Sequence, residues 1–185
     1  MNDESGVSYD TGYQLAPTPF PADVAKLASD SDSKWAKWTF PWQAESFLKA
    51  YTHLTFYLPI ESPPHPSLTD VWLTPTSRDG VFTTEILGYI ADVWPRMVES
   101  YCANSEWNST NLVRRALSLR SRPASSVDID VGLGRHPQAF WYPTLSMTLE
   151  IKKLLPPSGV KWLFLRAQAK DIRNGRMDTE VSILN

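Results

Sequence analysis

The stretch from Gly80 to Tyr101 most restricts how this chain can fold, because it is the best candidate for a long helix and the strands must be arranged around it. Its apolar residues fall at Ile86, Ile90, Val93, Met97 and Tyr101, with Leu87, Trp94 and Val98 beside them. That spacing predicts a helix with one broad buried face. Thr83 or Thr84 can cap its start, and Glu85 stands where the positive end of the helix dipole favours an acid. Two residues break the pattern. Asp92 lies inside a strongly apolar run, and Pro95 removes the amide that the Ala91 carbonyl would otherwise accept from.

The rest of the chain reads mostly as strands and turns. Ala50–Leu58 is rich in aromatic and β-branched residues and is closed by Pro59, Pro63, Pro64 and Pro66. Leu68–Thr74 is a second short strand, ended by Pro75 and the Asp79-Gly80 turn. Tyr142–Leu154 sets Leu145, Met147, Leu149 and Ile151 against Thr144, Ser146, Thr148, Glu150 and Lys152, a strict period of two. Val160–Ile172 and Met177–Leu184 follow, joined by Asn174-Gly175, a strong hairpin signal. Strands, one helix and then an antiparallel meander predict an α+β fold, with a curved antiparallel sheet wrapped around one long helix. The final strand, with Val181 and Ile183, has no neighbour in the sequence, so the sheet is expected to be one strand short.

Composition narrows the class. At 185 residues with 42% hydrophobic, the chain can bury the core of one domain. A net charge of -2 gives no bulk attraction to nucleic acid or anionic lipid. No apolar run approaches the roughly 18 residues of a membrane span. The acidic, polar N-terminus is unlike a signal peptide, so a cytoplasmic protein is expected. A lone Cys102 excludes an internal disulfide framework. Eight Trp point to a large aromatic core or a ligand groove.

Residues 1–42 read as an extended arm or linker with one short helix near Ala22–Ser29, and residues 43–185 as the folded domain. Within it, 103–139 reads as a long insertion loop, poor in apolar residues. Its Arg114–Arg122 run is either a solvated surface excursion or a basic helix that binds phosphate.

Three stretches carry a family resemblance. They are Ser5–Leu15; Leu87-Gly88-Tyr89-Ile90-Ala91-Asp92-Val93-Trp94-Pro95; and Phe140–Thr144 through Lys161–Arg166 to Asn174–Asp178. Together they resemble the fungal thioesterase-like proteins, relatives of type II acyl-CoA thioesterases with a double hot-dog fold. The resemblance covers most of the chain outside about 103–139. It matches the second hot dog only, so the first would precede Met1 and the last strand would follow Asn185.

The resemblance implies a function: hydrolysis or binding of acyl thioesters, of CoA or of an acyl carrier protein, in fungal secondary metabolism. In such enzymes an Asp on the helix, a strand Thr and a late Gln hold the attacking water. Asp92 matches the Asp, and Thr144 stands at the Thr position, although Ser146 and Met147 replace the relatives' Asp-His. The Gln would lie beyond residue 185. The chemistry requires no cofactor or metal. A homo-oligomer or a partner hot-dog domain is implied, because such sites form between two hot dogs. The alternatives are a non-catalytic binding or assembly subunit and an inactive truncated paralogue. From the residues alone, Asp92 also reads as a polar residue on the helix's solvent edge, or one bonded to backbone freed by Pro95. Arg173 and Arg176 either meet a CoA phosphate or keep a hairpin soluble. His53, His65 and His136 read as surface or loop residues.

Overall fold

The computed structural model describes residues 7, 9–39, 49–94, 96–102, 105, 108–121 and 142–185. Five strands form one antiparallel sheet in the order β1-β2-β3-β4-β5: Trp35–Thr39, Leu54–Pro59, Leu68–Pro75, Leu163–Arg173 and Arg176–Leu184. Among the described residues three α-helices accompany it: α1 (Val24–Ala28), α2 (Leu87–Asp92) and α3 (Ser109–Arg120). This is the α+β arrangement expected of a hot-dog fold. The Asn174-Gly175 turn joins β4 to β5 with both residues at positive φ, 49° and 73°, as a type I′ hairpin demands.

Each face of the sheet is covered. On one face Trp38, Phe56, Leu58, Val71, Leu73, Leu163 and Leu165 pack against Leu87, Ile90, Val93, Trp94 and Met97. Trp38, Phe56 and Trp94 meet there with ring centroids 5.4 to 6.4 Å apart, so these two tryptophans build core. On the other face Trp35, Tyr57 and Phe164 lie under Leu27 of α1, with Leu15, Phe20 and Trp72 beside them. The buried Trp35 indole donates to the Pro21 carbonyl at 3.1 Å. Asp23 caps α1, its side chain accepting from Ala25 N and Lys26 N.

The long helix is the main correction. Thr84–Ile86 is a 3-10 turn, α2 covers only Leu87–Asp92, and Arg96–Tyr101 is again 3-10. Phe82 is held in an isolated bridge with Val160, which keeps the first residues out of the helix. Pro95 offers no N–H and biases the residue before it away from helical angles, and α2 stops three residues earlier. Burial keeps the expected period through Met97 and then departs from it. Tyr101 is exposed, whereas Glu99 is buried. Neither Thr caps by its side chain in the usual way. Thr83 makes no cap bond; its hydroxyl instead holds the Glu85 carboxyl below the usual range, helped by a backbone hydrogen bond. Thr84 Oγ1 accepts from Leu155 N at 3.0 Å.

Tyr142–Leu154, expected as a strand, enters no ladder with the other described residues. β4 already has β3 and β5 on its two edges, which leaves this segment no place in the middle of the sheet. Its apolar row faces solvent, with Leu145 78% exposed and Met147 51%. Ala50–Leu58 also divides, into a 3-10 turn (Lys49–His53) and β2.

Two elements lie within the stretches read as arm and insertion loop, the second where a basic helix was the alternative reading. Trp35–Thr39, within the stretch read as an arm, pairs with β2 in the register Trp38↔Phe56. Ser109–Arg120, within the stretch read as a loop, is a helix whose Leu112, Val113 and Ala116 are buried against β1 and β2. Asn108 caps it, accepting from Asn111 N at 2.9 Å. Arg120 anchors its end, donating to Asp30 Oδ1 at 2.6 Å and to the Trp35 carbonyl at 2.8 Å. Residues 122–141, including Arg122, Arg135 and His136, lie outside the described residues.

Two further contacts fix the remaining loops. Gly159 turns the chain at φ +73°, where a Cβ would sit 2.8 Å from the Phe82 carbonyl oxygen. Beyond the bridge, the Lys161 ammonium donates to the carbonyls of Ser77, Arg78 and Gly80 at 2.9, 2.9 and 3.0 Å.

Candidate functional site

Asp92 is the last residue of α2, and its side chain is exposed. The broken helix places it at the point where the chain leaves α2 for the second 3-10 turn. Thr144, also exposed, donates its hydroxyl hydrogen to Asp92 Oδ1. The two residues singled out in the sequence, 52 positions apart, are therefore in direct contact. Asp92 Oδ2 has no hydrogen-bond partner among the described residues.

A second acid–hydroxyl pair lies alongside. Glu99 Oε1 accepts from the Tyr142 hydroxyl at 2.7 Å, and Glu99 Oε2 accepts from the Ser105 hydroxyl. Glu99 is 2% exposed. The contacts Tyr142–Glu99, Thr144–Asp92 and Leu155–Thr84 lie in opposite order along the two segments. Residues 142–155 thus run antiparallel to the helical stretch 84–101. Sequence reading missed Glu99 and Tyr142. Nothing local marked them, because the two are 43 positions apart and meet only once the segments lie side by side.

The other candidates lie elsewhere. Arg173 pairs with Asp171 at 3.2 Å at the exposed hairpin tip, and Lys170 with Glu180 at 2.6 Å. Arg114 donates to Asn111 Oδ1 at 2.5 Å beside a 360 Å³ depression on α3, lined by Asn111, Arg114, Arg115 and Ser118. A second cavity of 190 Å³ lies between α3 and the end of β2. Asp92 and Thr144 line neither. Among the described residues, no helix is long and apolar enough to cross a membrane.

The profile of the family described as acyl-CoA thioesterase C-terminal domain matches residues 21–185. A curated relative, the thioesterase-like protein TwmA of Talaromyces wortmannii, is 29% identical over 187 residues, covering 97% of this chain and 51% of the relative. The chain therefore spans about half the length of that protein. No solved structure matches.

Proposed function

The chain belongs to the family of acyl-CoA thioesterase C-terminal domains, and on that footing we propose that it acts on acyl thioesters of CoA or of an acyl carrier protein, with Asp92 and Thr144 as its water-holding pair. The observation that carries this reading is the hydrogen bond from the Thr144 hydroxyl to Asp92 Oδ1. With one oxygen engaged, the other can accept a proton from water, while a lone pair of Thr144 Oγ1 holds the second water hydrogen. The water oxygen is then free to attack the thioester carbonyl carbon. Asp92 takes the proton, the carbonyl becomes an oxyanion, and collapse breaks the C–S bond, the thiolate leaving with the electron pair and taking the proton back from Asp92. A thiol with a pKa of about 8.5 leaves readily, so the enzyme has only to aim the water and stabilise the oxyanion.

One observation favours a second reading, a non-catalytic binding or assembly unit. Asp92 and Thr144 are both exposed and outside either cavity, whereas thioester hydrolysis gains from a water-excluding site. A partner hot-dog unit, from a second copy or another chain, would supply that enclosure.

The test is hydrolysis of acyl-CoA and acyl-carrier-protein thioesters by the wild type and by Asp92→Asn, alongside the oligomeric state. The catalytic reading expects activity that falls about 10²- to 10⁴-fold in the variant, the usual contribution of a positioned general base. An inactive wild type, or an Asp92→Asn enzyme as fast as the wild type, refutes it.

A further inference from the structure

Among the described residues no ladder holds the segment that carries Thr144, and side-chain contacts tie it to Asp92 and its surroundings. The nearest of these in sequence is Tyr142, whose hydroxyl donates to Glu99 Oε1 at 2.7 Å. We propose that Glu99 is a positioning residue: acting through the Tyr142 hydroxyl, it holds Thr144 within hydrogen-bond reach of Asp92. The proposal rests on the reading of Asp92 and Thr144 as the water-holding pair.

Three features make Glu99 suited to this. It is 2% exposed, and a buried carboxyl is retained at a cost unless hydrogen bonds offset its desolvation. Both of its oxygens are engaged by hydroxyls, Tyr142 on one and Ser105 on the other, so its direction is set from two sides. An apolar residue at 99 would fill the same space without fixing the Tyr142 ring, because packing is not directional and a charge-assisted hydrogen bond is. Two residues of chain reach at most about 7 Å, so pinning Tyr142 confines Thr144 to that radius. At the far end of the segment, Leu155 is held by Thr84, too distant along the chain to place Thr144. Misplacing a reacting group by about 1 Å can cost 10²-fold in rate, so Glu99 is expected to appear in kcat.

Tyr142→Phe deletes only the donor, and Glu99→Gln keeps the volume while removing the charge. For each we expect kcat to fall about 10- to 100-fold with KM changed less than about threefold. The Tyr142→Phe/Glu99→Gln double variant should be no slower than the worse single, since both act through one contact. A second readout needs no activity. In a Cys102→Ser background, Asp92→Cys/Thr144→Cys is cross-linked by a short bis-methanethiosulfonate reagent. Tyr142→Phe should lower the rate of cross-linking at least threefold. An unchanged rate overturns the proposal, as does a double variant whose losses multiply. A slowed cross-link in a protein that hydrolyses nothing supports the positioning of Thr144 and refutes the hydrolytic reading of the site instead.

Discussion

Asp70 and Arg166 face one another across β3 and β4, on the face covered by α1 and the chain before it. Arg166 Nε and Nη2 donate to the two Asp70 oxygens, each at 2.7 Å, and Nη1 donates to the Pro17 carbonyl at 2.6 Å. The two residues are 5% and 7% exposed. Taking two ions this far out of water is costly, and only the paired geometry offsets it. Removing one partner therefore costs more than the pair itself contributes. Asp70→Ala leaves a buried guanidinium with a single carbonyl, at an expected cost of about 3–5 kcal/mol. A domain of this size has about 5–15 kcal/mol in total. With a urea m-value of about 2 kcal/mol/M, the midpoint should drop by about 1.5–2.5 M. Arg166→Met should cost a similar amount, because it strands the carboxylate. The double variant Asp70→Val/Arg166→Met removes both charges and should lie within about 1 kcal/mol of wild type, the residue being the Pro17 carbonyl that loses its donor. Equilibrium urea unfolding of wild type, Asp70→Val, Arg166→Met and the double variant closes the cycle, with Asp70→Val expected to cost as much as Asp70→Ala. A loss below about 1 kcal/mol for Asp70→Ala, or a double variant equal to the sum of the singles, would refute the argument that the pair is balanced against its own desolvation.

Two other measurements bear on the fold. Burial, followed by the nearby Asp30 charge, pushes the Tyr57 hydroxyl up to about 12; burial, followed by Tyr51, does the same to Tyr89, whose hydroxyl donates to the Ala50 carbonyl at 2.7 Å. A raised folded pKa gives stability that is complete below the unfolded value of about 10 and is lost as pH rises towards 12. Alkaline titration followed by tyrosinate absorbance should show Tyr57 and Tyr89 ionising well above 10; Tyr57→Phe and Tyr89→Phe assign the two transitions, and ionisation of either near 10 in the folded protein would contradict it. Leu112→Ala tests whether α3 belongs to the core: at 1% exposure it should cost about 2–5 kcal/mol in thermal or urea unfolding, where a solvated excursion would give less than about 0.5 kcal/mol.

The parts of the fold legible in the sequence were those whose signals are local. β3 and β5 follow from alternation bounded by turn residues, and the Asn174-Gly175 hairpin follows from backbone angles that this pair accepts readily. Tyr142–Leu154 shows the limit of such reading. Its alternation reports which residues can share a face, but not what the segment meets: contacts at Tyr142, Thr144 and Leu155 lay it along the helical stretch 84–101 instead. α3 was obscured by its arginines; the apolar residues at Leu112, Val113, Ala116 and Leu117 keep helical spacing, and Arg120 turns inward to Asp30. β1 was obscured by its length of five residues with a lysine at the centre. Of the site, Asp92 and Thr144 were read through the family resemblance and are in contact, while Glu99 and Tyr142, 43 positions apart, leave no local trace.

Lys161 has a practical consequence. Its amine is enclosed by three carbonyls of the 77–80 loop, whereas the side chain of Lys152 is 78% exposed. An amine-reactive label should therefore modify Lys152 at once and Lys161 only when that loop lets go. The ratio of the two adducts by mass spectrometry becomes a built-in gauge of nativeness, one that needs neither substrate nor partner and can qualify every variant described above before its chemistry is measured.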